Sequence, residues 1–135
     1  MRTVLLLCIS VAIVSACSTL SGLREDLKDT VVAYNDSIRW GQFNKAEHFV
    51  YDSVRQEFEA RTKAAKNVKI ADYRILSTDF EVDKGEQTVE VEFDYYISPV
   101  YQVKTLVDEQ KWSYVFVERE KKKQWRLMTP LPEFK

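Results

Sequence analysis

The apolar residues of this chain follow one period up to about residue 65 and another from residue 68, and that switch constrains the fold more than any motif does. Leu23, Leu27, Val31, Tyr34 and Ile38 recur at steps of four, four, three and four, which draws one stripe along an α-helix. Ser21 is placed to cap it, Glu25 and Asp26 suit its positive end, and Gly41 suits its stop. Asn44 with Glu47 predicts a short second helix through Phe49. Ser53 with Gln56 opens a third, which carries Val54, Phe58 and Ala65. Beyond Val68 the period becomes two. From Thr88 to Ile97, Val89, Val91, Phe93, Tyr95 and Ile97 share one face, while Glu90, Glu92, Asp94 and Tyr96 share the other. Asp83-Lys84-Gly85-Glu86 is the turn before this strand, with Gly85 free to take positive φ. The segment from Val68 to Val82 is its hairpin partner. Its alternation slips between Asp72 and Leu76, as a bulge would make it do. Ser98-Pro99 breaks the pattern, and Val103 to Val117 reads as one long strand or two short ones around Asp108-Glu109-Gln110. Arg119 to Lys123 then turns into a last strand, Gln124 to Thr129, stopped by Pro130 and Pro132. Helices followed by an antiparallel meander give an α+β fold, with the helices packed on one face of the sheet.

The first seventeen residues carry an address. Met1-Arg2-Thr3 is followed by an apolar run from Val4 to Val14, broken only by Ser10. A positive start, an apolar core of about 11 residues and small residues at its end make an export signal. The run falls short of the roughly 20 apolar residues that a membrane-spanning helix needs. It closes on Val14-Ser15-Ala16-Cys17, which resembles the signal of bacterial lipoproteins, where an aliphatic residue and two small ones precede an obligatory cysteine. The resemblance implies lipidation of the Cys17 thiol, cleavage between Ala16 and Cys17, and acylation of the new amino group. Ser18, where lipoproteins of the inner membrane often carry Asp, implies an outer-membrane destination facing the periplasm. An ordinary signal cut near Ala16, or an uncleaved anchor, are the alternatives. Cys8 would leave with the signal and Cys17 would carry lipid, so the mature body keeps no cysteine for a disulfide. The chain then divides into a signal at 1–16, a lipidated tether at 17–22 and one domain at 23–135. An extended tether of five residues reaches less than roughly 18 Å, which holds the domain near its membrane.

The order of elements, the step Gly41-Gln42-Phe43-Asn44-Lys45-Ala46 between two helices, and Trp125-Arg126-Leu127 after a charged turn resemble the cystatin-like, or nuclear-transport-factor-two-like, group. That group includes ketosteroid isomerase and SnoaL-like cyclases. The resemblance spans most of residues 23–130 and implies a curved sheet wrapping a long helix as a cone. Its members range from enzymes with a conical pocket to scaffolds.

Composition excludes much chemistry. There are only 3 Gly, 2 Cys and 1 His among 135 residues. Gly22, Gly41 and Gly85 lie too far apart to build a phosphate-cradling loop. His48 has no second histidine for a metal site or a nucleophile–base pair, so neither metal nor cofactor is expected. A net charge of −1 argues against nucleic acid, whose phosphates call for a clearly basic domain. Asn35-Asp36-Ser37 matches a glycosylation acceptor pattern, which a bacterial signal and a mid-helix position discount. Glu90, Glu92 and Asp94 lie opposite the apolar face and read as a solvated strand face. A bulge in the first strand would be able to turn Asp72 or Asp79 inward, and an enzymatic reading would rest on one of these with a tyrosine as hydrogen-bond donor.

Aromatic residues are the more distinctive set. Trp112, Tyr114 and Phe116 alternate on one strand, Trp125 lies on the next, and Tyr95 on the clear one. They read as core, or as the lining of an apolar pocket with Tyr73, Tyr95, Trp112 and Tyr114 as its ligand-binding residues. Tyr95 and Tyr96 cannot both point inward, so one is exposed, and Tyr101 is another exposed candidate. Charges are sorted as well: the middle is acidic, while Lys104, Lys111 and Arg119 to Lys123 make the end basic. Cross-strand pairing accounts for this, and a basic turn against anionic lipid headgroups is the functional alternative. The expected function is a lipid-anchored envelope lipoprotein whose small non-catalytic domain binds a protein partner or an apolar ligand. The alternative is a lipid-anchored enzyme of isomerase, dehydratase or cyclase type.

Overall fold

The computed structural model describes the backbone of residues 2–79 and 85–135 and the side chains of 19–77 and 85–135. The helical stripe lies on α1 (Arg2–Arg39), and Leu27, Val31, Tyr34 and Ile38 are all buried. Its C-terminus closes as the sequence predicts. Gly41 has φ +67°, its N–H donates to Ile38 O at 3.0 Å, and the Gln42 N–H donates to Ser37 O at 2.8 Å. These are the two backbone bonds of a Schellman stop. The N-terminal side differs from expectation: α1 does not begin at Ser21 but runs unbroken through residues 17–22. Ser18, Thr19, Ser21 and Gly22 each weaken a helix by about 1 kcal/mol or less, and the helix continues across them.

Two short helices follow, α2 (Phe43–Glu47) and α3 (Asp52–Ala64). Neither uses the expected cap, because Gln42 and Tyr51 occupy the cap positions without side-chain bonds. Tertiary bonds decide the entry instead. The Leu127 N–H donates to Phe49 O at 2.8 Å and the Tyr51 N–H to Leu127 O at 2.9 Å, so the link between α2 and α3 is tied to the last strand.

Four strands form one antiparallel sheet in the order β1 (Val68–Asp79), β2 (Glu86–Ile97), β3 (Val100–Val117) and β4 (Lys122–Leu127). The fold is therefore α+β. β3 is one long strand, and the turn considered at Asp108-Glu109-Gln110 is absent. β1 slips register at Ala71 and again at Leu76, where the alternation falters. Such slips bend a strand and increase its twist, and the sheet curves until α1 packs on both β1 and β4. Gly85 starts β2 with φ +65°; the residues before it in that turn lie outside those described.

The inner face of the sheet meets the helices. Val89, Val91 and Phe93 of β2, Trp112 of β3, and Trp125 and Leu127 of β4 are buried against α1, Val50 and Phe58. After β4 the chain doubles back beneath the sheet. Leu131 is fully buried, the Arg61 guanidinium donates to its carbonyl at 2.8 Å, and Phe134 packs edge-on to Phe93 and Tyr95. Among the described residues no helix is long and apolar enough to cross a membrane.

Candidate functional site

Alternation along β3 sends Asp108, Gln110, Trp112 and Tyr114 to the inner face, opposite Val91, Val89, Gln87 and the start of β2. Asp108 and Gln110 are buried there, and the helix residue that bonds to Gln110 is Asn35 on α1. The Gln110 Nε2 group donates to Asn35 Oδ1 at 2.8 Å, and Asn35 Nδ2 returns a bond to Gln110 Oε1 at 3.2 Å. Gln110 Nε2 also donates to Asp108 Oδ2 at 3.1 Å, while Asn35 Nδ2 donates to Val31 O at 2.9 Å. This is a continuous polar thread from α1 to β3 through an otherwise apolar core. Burying polar groups is tolerable only when they pair in this way.

Burial dominates the electrostatics of the thread. It pushes the Asp108 carboxyl up to about 6, against the Gln110 bond and the Arg61 charge, which favour ionisation. Glu109 adds a smaller push in the same direction as burial. The neighbouring Tyr34 phenol is raised well above its usual range, first by burial and then by the Asp108 charge. Three buried atoms beside the thread have no hydrogen-bond partner: Tyr34 Oη, Gln87 Oε1 and Trp112 Nε1. A carboxyl titrating near 6 can hold or release a proton close to neutral pH. Around it the cone is filled. Tyr34 meets Trp112 edge-on at 5.6 Å and Phe49 at 6.3 Å, and Tyr114 packs on Trp125 at 5.3 Å.

The four tyrosine and tryptophan candidates do share the inner face, each already engaged. Tyr95 is buried, its hydroxyl donating to Lys135 O at 2.8 Å. The Tyr73 hydroxyl donates to Asp36 Oδ1 at 2.8 Å, and burial followed by that bond pushes it up to about 12. Trp112 is buried and Tyr114 half-buried in the core cluster. Tyr96 lies on the other face against the exposed Tyr101.

The acids considered in β1 lie elsewhere. The register slip at Ala71 turns Tyr73 inward and leaves Asp72 outward, opposite Asp94 and ion-paired with Arg39 at 3.3 Å. Asp79 pairs with Thr88, and its side chain lies outside those described, as do the side chains of Ala16 and Cys17. The inward acid is Asp108. Its signal was available, since Asp108 and Gln110 share the parity of Trp112, Tyr114 and Phe116, and extending that alternation backward finds both. Asn35 stands four residues after Val31 on the apolar stripe. His48 is exposed, its Nδ1 against Asn44 O at 2.7 Å. Among the described residues no cluster of His, Cys, Asp and Glu is arranged to hold a metal ion.

On the outer face Arg74 bridges Glu92 and Asp94, and Ser77 donates to Glu90 at 3.0 Å, so those acids form a paired, solvated face. Two surface clefts flank β4. One of about 390 Å³ lies between Asp26 and Thr30 of α1 and residues 122–126; the other, of about 510 Å³, lies between Glu47, His48 and Arg55 and the β3–β4 hairpin.

No family model matches the chain, and no curated protein does. Among solved structures it is similar to a protein assigned as a polyketide cyclase from Xanthomonas campestris pv. campestris. The two share 11% identity over 79% of this chain and 92% of that one, with a TM-score of 0.46. The α+β assignment itself rests on the helices and sheet described above.

Proposed function

We propose that the protein is a bacterial envelope lipoprotein, anchored through Cys17, whose small α+β domain is a non-catalytic binding module with a protein partner. The observation that carries the binding reading is the filled cone. Tyr34, Trp112 and Trp125 occupy its interior, and Leu131 with Phe134 occupies its mouth. Recognition is thereby left to the outer surfaces and the clefts beside β4. The anchor reading is supported by Val14-Ser15-Ala16-Cys17 at the end of an apolar run. Its chemistry is consistent: small residues fit a peptidase groove, and a thiol carries the thioether. Two or three acyl chains at about 0.8 kcal/mol per buried methylene make such anchoring effectively permanent. Mass analysis of the mature N-terminus tests it. The expected product begins at Cys17 with diacylglycerol attached, and an unmodified terminus rejects the anchor.

A second reading is favoured by one observation, the buried Asp108 carboxyl poised near 6 beside the Tyr34 phenol. Perturbed acids of this kind recur at sites of proton transfer, and an isomerase, dehydratase or cyclase would use Asp108 once the interior had opened to admit a substrate. Under this reading Phe134→Ala, which uncovers Phe93 and Tyr95, creates binding of an apolar fluorescent probe, and Asp108→Asn alters its pH dependence. An opened variant that binds no probe removes the reading.

A further inference from the structure

We propose that the β3–β4 hairpin is a second, electrostatic membrane contact that seats the domain on anionic lipid headgroups beside its anchor. The proposal rests on the lipoprotein reading for the direction in which the membrane lies. The hairpin carries Arg119, Lys121, Lys122 and Lys123, and two of its charge pairs are internal: Lys121 with Glu118 at 3.2 Å and Arg126 with Glu120 at 3.2 Å. Arg119, Lys122 and Lys123 are exposed and make no ion pair among the described residues. Three uncompensated cations stand together at the hairpin in a chain of net charge −1.

Position gives that surface its partner. Trp125 Nε1 donates to Leu23 O at 3.3 Å, and Lys122 and Lys123 share a cleft with Asp26 and Thr30, so β4 runs beside the segment of α1 nearest the anchor. From Leu23 back to Cys17 the helix rises about 9 Å at 1.5 Å per residue. From Trp125 back to Lys122 the strand rises about 10 Å at 3.3 Å per residue. Lipidated cysteine and basic turn therefore stand at comparable distances from one shared contact. Phe116, opposite Lys123 across the hairpin, is 50% exposed beside the charges, as suits a surface that meets headgroups rather than bulk water. The partner committed to is a lipid surface, because the three cations are spread along a turn rather than converging on one anion.

The test uses the full chain carrying Cys17→Ser, so that lipid cannot mask the hairpin, with two kinds of vesicle: phosphatidylcholine alone, and an equal mixture of phosphatidylcholine and phosphatidylglycerol. The leader, with its terminal amine and Arg2, favours the anionic vesicles by the same factor in every variant, so the readout is the change between variants in the ratio of the two partition coefficients. Replacing Arg119, Lys122 and Lys123 by Gln should lower that ratio by an order of about 100-fold at low salt, and raising salt should lower it more steeply in the parent than in this variant. Replacing Lys63, Lys66 and Lys69 by Gln, three exposed lysines at the opposite end of the sheet, should leave it unchanged. A parent that does not distinguish the vesicles, or equal losses in both triple variants, overturns the proposal. The mass of the N-terminus judges the anchor separately, so either reading can fail alone.

Discussion

Asp94 and Asp108 lie on neighbouring strands of one sheet and point to opposite faces, and the sheet gives them opposite chemistry. On the outer face Arg74 and Thr105 bond the Asp94 carboxylate and hold it below the usual carboxylate range. On the inner face burial raises Asp108 to about 6, and one amide bond from Gln110 does not offset it. Solvent lets the outer face assemble and break its pairs at little cost, whereas on the inner face each polar group left unpaired, as Tyr34 Oη, Gln87 Oε1 and Trp112 Nε1 are among the described residues, costs stability. The outer face is built for solubility and the inner face for a single arrangement of side chains.

That contrast can be broken at its strongest point first. Trp112→Ala removes a fully buried ring that packs on Tyr34 and should cost about 3–5 kcal/mol, read as the loss of a cooperative denaturant transition or a large fall in its midpoint. A small effect would mean that the cone is looser than its burial implies. Asp108→Asn is expected next. A carboxyl that titrates near 6 when folded and near about 3.9 when unfolded binds more protons in the folded chain over that interval. Stability should therefore fall as pH rises from about 4 to about 6 and stay level above it. The asparagine keeps an oxygen for Gln110, so the variant should flatten this slope and gain about 1–3 kcal/mol near neutral pH. An unchanged slope would locate the titration at another group. Arg74→Ala is expected to do least. It breaks the pairs with Glu92 and Asp94 on an exposed face, and its thermal midpoint should match the parent's within replicate scatter at high salt.

Local chemistry made the α+β order, the Gly41 stop and the Gly85 turn readable, because each depends on residues within one turn of each other. The slip in β1 was readable as a broken alternation, but its consequence was not: only the observed pairing shows that Tyr73 turns in and Asp72 out. The entries to α2 and α3 misled because backbone bonds from Leu127 replace side-chain caps, and no local pattern reports a partner some 75 residues away. The thread of Asn35, Gln110 and Asp108 was hidden for a related reason. Three polar residues in a row at 108–110 look like a turn until the strand is known to continue, and Asn35 finds Gln110 only across the fold. The aromatic set was legible as an inward group; that the chain itself fills the cone became visible only with Leu131 and Phe134 in place.

The long reach of those two residues bears on how the molecule folds. Leu127 closes the link between α2 and α3, Leu131 receives the Arg61 guanidinium, and Phe134 caps Phe93. Each joins a part of the chain far from it in sequence. Before they dock, the chain has helices and a hairpin but no completed interior, and long-range closures of this kind are intrinsically slow. Docking of residues 127–134 onto the helices and the sheet should therefore be the slow step of folding, with the interior closing only once that segment is in place.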